Sequence, residues 1–281
     1  MKKQLYAAVF AASLFALLAL LTAGGAAAAP RSVCSGTFAS PGSLSGTYSK
    51  VEVRGVCGVF GTTTTDNLVI APGATLAALF AGADLSVHGN VHVKHGGTIL
   101  AGCDPVNSTC VDDPNGSSTT SIAGNLIETR PLGVVIHDSS IGGNVVSSGG
   151  GGGVTCEPSG VFEQIGSPVY SDFAHSAIAG NITIAGYRSC WLGIDHDQIG
   201  GSVHLLHDNL ADPDAIEVLD NTIGSNIVCR QNSMVWDSAD TVEDSLYPRA
   251  WEPNTIGGIR VGQCVVAPPI DSPTGQSPGP F

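Results

Sequence analysis

Residues 140–145, Ser-Ile-Gly-Gly-Asn-Val, are one copy of the unit that decides the fold. The unit is Ser or Thr, Ile, two small residues, Asn and an aliphatic residue, with a few departures. Further copies begin at Ser121, Ala177, Gln198 and Thr222, a degenerate last copy begins at Thr255, and a looser early copy begins at Ser86. Recurrence of one short unit along a chain indicates stacked structural repeats.

A second match sets the length of one repeat. Residues 67–76 align without gaps on residues 90–99, with Asn, Gly and Thr identical at three positions and the alternating apolar positions retained. The offset is 23 residues, and the Asn-equivalent positions 125, 144, 181, 202 and 226 lie 19, 37, 21 and 24 residues apart. The spacing of 37 fits one turn plus an insertion, which includes the glycine run 149–153. These spacings are typical of solenoids and related arrays.

The Gly-Asn pair explains how the unit folds. The Ile and the aliphatic residue after Asn belong to two short strands, and Gly-Asn forms the tight corner between them because both residues tolerate left-handed backbone angles. In a stack, Asn lies above Asn, and such side chains form hydrogen-bonded ladders. We therefore predict an all-β fold, a right-handed parallel β-helix (β-solenoid) with disulfide-linked loops and an N-terminal cap. The alternative, a β-sandwich, does not require one corner sequence to recur.

The chain divides into four segments. Lys2 and Lys3, the apolar run that follows and the small residues up to Ala29 predict a secretory signal peptide over residues 1–29. A membrane anchor is the alternative, but the apolar run is shorter than a span requires. Residues 30–64 are the expected N-terminal cap region and residues 65–266 the β-solenoid. Residues 267–281, rich in Pro, Gly and Ser without periodicity, are expected to be a disordered tail.

The charge of the chain narrows the class of partner. Two of the 11 Lys and Arg residues lie in the signal segment, which leaves 9 basic and 24 acidic residues and a formal net charge of −15. Such an acidic surface disfavours nucleic acid and anionic lipid. It is typical of a soluble extracellular protein with no membrane span after signal cleavage, and it could attract cations.

All eight cysteines lie after the signal segment. An even number in an exported protein predicts disulfides, although eight cysteines allow 105 connectivities. Pairing of sequence neighbours is the simplest pattern. The chain contains no C-x-x-C motif, so the cysteine spacing does not indicate a zinc site. The predicted pairs are Cys34–Cys57, Cys103–Cys110, Cys156–Cys190 and Cys229–Cys264.

Three stretches of sequence resemble a known group of proteins. Residues 67–76, residues 87–99 and the closing stretch from Asp220 to Cys229, followed by Gly262-Gln-Cys264, are similar to secreted right-handed parallel β-helix proteins of high-GC Gram-positive bacteria. The similarity covers most of the mature chain. It implies a fold and an extracellular location. The group is functionally uncharacterised, so the resemblance implies no catalytic residue.

The strongest candidate for chemistry is an acidic cluster between residues 188 and 214. Asp195, Asp197, Asp212 and Asp214 form a candidate Ca²⁺ site, with Asp208, His204, His207 and Arg188 nearby in sequence. A carboxylate cluster with a basic residue is what a polysaccharide lyase requires, whereas a solvated polar face explains the same residues without chemistry. No other cofactor is indicated.

The sequence therefore favours a non-enzymatic function. We expect an extracellular structural, surface or ligand-binding protein, with an extracellular polysaccharide or a component of the cell envelope as its partner. The alternative is a polysaccharide-active enzyme, lyase more than hydrolase, that uses the face around residues 188–214. Fold follows from the repeat, but function has to be argued from a site.

Overall fold

The computed structural model describes residues 29–213, 215–238 and 254–265. Within these ranges the chain is nearly all strand, and its strands stack in parallel as a β-helix, which confirms the predicted fold. The predicted signal peptide before Ala29, the candidate ligand Asp214 and the predicted tail lie outside the described residues.

Three parallel faces run along the axis of the β-helix. The first face is a ten-stranded sheet that takes one strand from each successive turn. Its strands are β1 (Arg31–Cys34), β3 (Lys50–Val53), β5 (Leu68–Ile70), β8 (Val91–Val93), β11 (Leu126–Thr129), β14 (Val145–Ser148), β17 (Ile182–Ala185), β21 (Val203–Leu206), β25 (Ile227–Arg230) and β28 (Arg260–Gly262).

The second and third faces are joined at one end through a long strand, β4 (Val56–Thr65), which pairs with β2 (Gly42–Tyr48). The second face continues with β6 (Thr75–Ala78), β9 (Thr98–Ala101), β12 (Gly133–His137), β15 (Tyr170–Ala174), β19 (Trp191–Asp195), β23 (Ile216–Leu219) and β26 (Trp236–Ser238). The third face continues with β7 (Leu85–Val87), β10 (Thr120–Ile122), β13 (Ser140–Ile141), β16 (Ala177–Ile178), β20 (Gln198–Ile199), β24 (Thr222–Ile223) and β27 (Thr255–Ile256). A further pair, β18 (Arg188–Ser189) and β22 (Asn209–Leu210), lies between the first and second faces.

The strand register reproduces the repeat predicted from the sequence. Leu68 pairs with Val91, which is the offset of 23 residues. Val145 pairs with Ile182 across the interval of 37 residues. The degenerate last copy also stacks in register, since Thr222 pairs with Thr255. Alternate side chains of each strand point inward, so the inward-facing residues of successive turns build one continuous apolar column that consists mainly of Val, Ile and Leu.

The predicted asparagine ladder runs along the corner between the third and first faces. Asn144 Oδ1 accepts hydrogen bonds from the backbone N–H and the side-chain amide of Asn181, at 2.9 and 3.0 Å. Asn144 donates in the same way to Asn125 Oδ1. Ser202 continues the column and accepts from the backbone N–H of Asn226 at 3.2 Å. The ladder satisfies corner N–H groups that turn away from the strand hydrogen bonds.

The segment predicted as an N-terminal cap, residues 30–64, consists of solenoid turns. Strand β1 pairs with β3, and β3 pairs with β5, in continuous register with the rest of the first face. The outermost turn, formed by β1 and β2, therefore closes this end of the column.

In the described part of the chain, two insertions flank the second face. Residues 102–119 lie between β9 and β10, and residues 149–169 lie between β14 and β15 and include a short helix, α1 (Val161–Ile165). Phe162 of α1 packs with Leu100 and Val135 on the outside of this face.

All four predicted disulfides are present, and they secure the loops and the chain end. They join Cys34 to Cys57, Cys103 to Cys110, Cys156 to Cys190 and Cys229 to Cys264. A disulfide set of this kind is typical of an oxidising, extracellular environment. The chain closes with a 3₁₀ turn, Gln263–Val265.

Candidate functional site

A shallow groove runs along the outside of the third face. Each third-face strand from β13 to β27 has two residues, of which one points into the core and one points out. Five consecutive turns place a small or polar uncharged side chain in the groove, all of them exposed: Ser121, Ser140, Ala177, Gln198 and Thr222. The groove encloses about 570 Å³.

The corner residues along one side of the groove are small, so no long side chain projects from that side. The corners that line it are Gly or Ala in every turn, including Ala123, Gly142 and Gly200. A Cβ atom at Gly142 would lie 2.5 Å from the carbonyl oxygen of Ala123, and one at Gly200 would lie 2.4 Å from that of Ala179. These glycines allow successive corners to approach closely, so the groove passes from turn to turn without interruption.

Asp195, Asp197 and Asp212, the described members of the predicted cation site, lie on different parts of the β-helix. Asp195 ends β19 and points outward on the second face. Asp212 lies in the loop after β22, His204 lies on the outside of the first face, and Arg188 is exposed on β18. Within the described ranges no three His, Cys, Asp or Glu side chains gather closely enough to hold a metal ion. The Ca²⁺ site, which includes Asp214, stays a prediction.

Two members of that cluster, Asp197 and Asp208, lie inside the β-helix. Asp197 is 1% exposed, and its Oδ1 accepts from the backbone N–H of Ser176 at 2.7 Å. Its own N–H donates to Asn221 Oδ1 at 2.8 Å. Asp197 is thus one rung of a second ladder, at the corner between the second and third faces.

Asp208 has the same role in a third ladder, between the first and second faces. Its Oδ1 accepts from the backbone N–H of Tyr187 at 2.7 Å, and its N–H donates to Asn232 Oδ1 at 3.0 Å. The neighbouring rung shows what an amide does here, because Asn232 Nδ2 donates to the carbonyl of Leu205 at 2.9 Å. In Asp197 and Asp208 the equivalent atom is Oδ2, which is buried without a partner among the described residues.

Burial keeps these two carboxyl groups protonated over a wide pH range. Burial raises the pKa of Asp197 well above its ordinary value, against the opposing effect of the Ser176 N–H donor. Burial also raises the pKa of Asp208, to about 7, although backbone N–H groups including that of Tyr187 oppose the shift. A protonated Oδ2 can donate to a carbonyl as the asparagine amide does, so these aspartates serve the ladder as neutral rungs.

A polar cluster that the sequence did not predict lies where the second face meets the corner. His137 ends β12 and points outward, and its Nε2 lies 2.7 Å from Asp172 Oδ2 on β15. The two side chains are only 13% and 11% exposed. Burial lowers the pKa of His137, but the charge and hydrogen bond of Asp172, together with the charge of Asp138, raise it overall. The other side of the ring faces Ser108, with Nδ1 2.8 Å from Ser108 Oγ.

The same corner carries further polar residues in the following turns. Asp138, His175, His196 and Asp220 all have left-handed backbone angles, with φ between 46° and 57°. The rings of His175 and His196 stack with centroids 4.6 Å apart, and His196 Nε2 lies 3.3 Å from Asp220 Oδ2. The sequence signal for this row is weak, because the residues are far apart in the chain and belong to no motif.

Among the described residues no helix is both long and apolar enough to cross a membrane. No protein-family model, no curated protein and no solved structure matches the chain.

Proposed function

We propose that the protein is secreted and acts outside the cell as a ligand-binding β-helix, with a neutral glycan strand as the ligand of the third-face groove. The observation that carries the proposal is the groove itself, which stays open across five turns. Stacked strands lie about 4.8 Å apart, so the five outward side chains span about 19 Å. A straight, periodic site of this length fits an extended polymer better than a compact small molecule.

The chemistry of the groove favours a neutral, hydroxyl-rich ligand. Ser121, Ser140 and Thr222 offer hydroxyl groups that both donate and accept, and Gln198 offers an amide. None of the described side chains that line the groove is charged, and the excess of acidic residues in the chain would repel an anionic polymer. A sugar chain presents matching donors and acceptors at regular intervals along its length.

The alternative of a polysaccharide-active enzyme around residues 188–214 has less support. Its described acidic residues are divided between the outer surface and the interior, where Asp197 and Asp208 accept hydrogen bonds within the ladders. Catalysis on a polymer would require these carboxylates in one open cleft.

A glycan-binding screen tests the proposal. We expect the purified mature protein to bind at least one class of immobilised neutral glycan. Ala177→Trp places a large ring in the middle of the groove and should weaken that binding at least tenfold. The matched control is Val146→Trp, which adds the same ring at an exposed position on the first face and should leave binding unchanged. Equal loss in both variants, or no binding of any neutral glycan at millimolar concentration, contradicts the proposal.

A further inference from the structure

The loop that carries Ser108 is held rigidly against the second-face edge. The Cys103–Cys110 disulfide closes it, and the backbones of Asp104 and Ser108 exchange two hydrogen bonds across it, at 2.7 and 3.2 Å. Asn107 Nδ2 donates to Asp138 Oδ1 at 3.0 Å, which attaches the loop to the corner beside His137. Ser108 itself remains partly exposed, so its hydroxyl group is positioned by the fold and still accessible to a ligand.

The hydrogen bonds around His137 define the direction of proton transfer. A carboxylate can only accept, so the ring nitrogen that faces Asp172, Nε2, carries the hydrogen. In the neutral ring, Nδ1 is then the acceptor for the Ser108 hydroxyl at 2.8 Å. Both distances lie within the range for a nucleophile, its base and the group that orients the base.

The free-energy cost of burying the Asp172 carboxylate indicates a functional role for it. Asp172 Oδ1 is buried without a hydrogen-bond partner in the described part of the chain, and an unsatisfied buried acceptor is costly. The Asp172 carboxylate therefore makes its described hydrogen bond only to His137. If His137 served only to hold the Ser108 loop, it would not need a buried, charged partner such as Asp172.

From this geometry we propose that Ser108, His137 and Asp172 form a serine acyl-ester hydrolase site at the edge of the second face. Ser108 and His137 are the catalytic residues, and Asp172 is the positioning residue that acts through His137. The arrangement follows the nucleophile–base–carboxylate logic that recurs on unrelated folds. It differs in that the serine faces Nδ1 and the aspartate faces Nε2.

The reaction proceeds in two balanced steps. Ser108 Oγ bonds to the acyl carbon while its proton passes to His137 Nδ1, and the alcohol leaves with that proton as the ester C–O bond breaks. Water then attacks the acyl-serine and gives a proton to His137, which returns it to Ser108 as the carboxylic acid leaves. Asp172 stabilises the imidazolium in both steps through the Nε2–H bond.

The substrate is a small acyl ester, such as an acetyl group on a sugar hydroxyl. The insertion that carries Ser108 ends at β10, whose Ser121 lines the groove, and β12 with His137 precedes β13, whose Ser140 also lines it. Ser108 and His137 thus belong to the same two turns of the β-helix as Ser121 and Ser140 of the groove. Only the identity of the alcohol rests on the proposed glycan function, since the hydrolytic site itself does not involve the groove.

Covalent labelling tests the nucleophile without any polymer. A fluorophosphonate should form one Ser108–phosphorus bond as fluoride leaves, which intact-mass measurement detects as a single adduct. Ser108→Ala should abolish both the adduct and hydrolysis of p-nitrophenyl acetate. Ser117→Ala, an exposed serine in the same insertion, should retain both. An unlabelled wild-type protein, or full esterase activity in Ser108→Ala, overturns the proposal.

The pH dependence of labelling separates catalysis from a merely structural contact. The neutral form of His137 is the base, and its pKa is raised, so the labelling rate should rise with pH to a half-maximum above about 6.5. The charged groups that face the ring are Asp172 and Asp138, with Asp104 beside Asp138. Asp172→Asn should move the half-maximum to lower pH and reduce the plateau rate by about 10²-fold or more. A rate that does not change with pH, or a midpoint unchanged in Asp172→Asn, contradicts the assigned roles.

Discussion

At the scale of single residues, one outward row on the second face shows how strongly neighbours in successive turns constrain each other. The row contains Gly58 near one end and Asp172, Gly193 and Glu217 near the other. At Gly193 the space of the missing side chain is filled by the ring of Trp191, which is 1% exposed. At Gly58 the same space is filled by the ring of Phe60, which is 47% exposed.

Gly193→Ala should therefore destabilise the protein more than Gly58→Ala. A Cβ atom at residue 193 would lie 2.0 Å from Trp191 Cη2 and 2.5 Å from Asp172 Oδ1. Because the buried ring cannot move away freely, we expect a loss of about 1–3 kcal/mol in the free energy of unfolding. At residue 58 the Cβ atom would meet Phe60 at 2.6 Å, but that ring can turn toward solvent, and we expect a loss below about 1 kcal/mol.

Denaturant unfolding of the two variants beside the wild-type protein measures the difference. Each variant adds one methyl group to the same row, so each is the other's control. Equal losses, or a larger loss for Gly58→Ala, would show that exposure of the covering ring does not govern the cost.

At the scale of elements, the ladders are what connect one turn to the next outside the strands. The Asn144 side chain bonds to the turns on both sides, through Nδ2 to Asn125 and through Oδ1 to Asn181, so its removal affects three turns. Ser202 shows that a shorter side chain can occupy the column, since its hydroxyl still accepts from the next backbone N–H. The ladder thus tolerates loss of the Nδ2 donor better than loss of the side-chain oxygen that accepts from the next turn.

Asn144→Ala should therefore cost more stability than Asn144→Ser. The alanine variant leaves the backbone N–H and side-chain amide of Asn181 without their acceptor, and we expect a loss of about 1–3 kcal/mol. The serine variant should lose roughly half as much, because it keeps one acceptor. Thermal unfolding measures both, with the exposed Asn209→Ala as the control. A loss in Asn144→Ala no greater than in Asn209→Ala would exclude the ladder as a source of stability.

The ladders also explain how much of the molecule could be predicted from the sequence. The corner residues recur in order, so the register of Leu68 with Val91 and of Val145 with Ile182 could be counted directly. The disulfide pairs could be predicted from neighbour pairing, because each pair joins cysteines that are consecutive in the sequence and 7 to 35 residues apart. Local repetition and short loops make such contacts visible without a structure.

The candidate sites could not be predicted in the same way. Asp197 and Asp208 belong to a polar-looking stretch, and only stacking shows that they replace asparagine inside the column. Ser108 and His137 meet across 29 residues of sequence because an irregular loop folds against β12, and Asp172 reaches His137 from 35 residues further along the chain. No periodic pattern encodes the path of an insertion, so this contact is absent from the repeat.

At the scale of the whole molecule, the faces have different roles. Insertions 102–119 and 149–169 flank the second face, whereas the third face is left open as a groove. Among the described residues, Asp197, Asp208 and Glu128 are buried carboxyl groups whose pKa values are raised by burial. The folded state therefore favours the neutral form of several carboxyl groups, in a chain whose formal net charge is −13.

We expect the protein to be more stable at pH 5 than at pH 8. A carboxyl group with a raised pKa in the folded state contributes its full stability below its unfolded pKa, near 4, and loses it as pH rises through the folded pKa. For Asp208 that value is about 7, and for Glu128 it is about 8. The raised pKa of His137 acts in the same direction, because the protonated ring is favoured in the folded state beside Asp172. The ion pair between Glu52 and Arg54 has the opposite effect on the pH dependence of stability. It is exposed and contributes little to the free energy of unfolding.

Thermal unfolding from pH 4 to pH 9 tests this expectation. The Tm of the wild-type protein should fall between about pH 5 and pH 8 as the buried carboxyl groups ionise. Asp208→Asn should flatten that decline and raise the Tm at pH 8, because the amide can donate where a carboxylate cannot, as Asn232 does in the next rung. Glu157→Gln, at an exposed position, should leave the profile unchanged. A Tm that rises with pH over this range, or an Asp208→Asn profile parallel to that of the wild-type protein, would mean that the ladder aspartates are not held as neutral rungs.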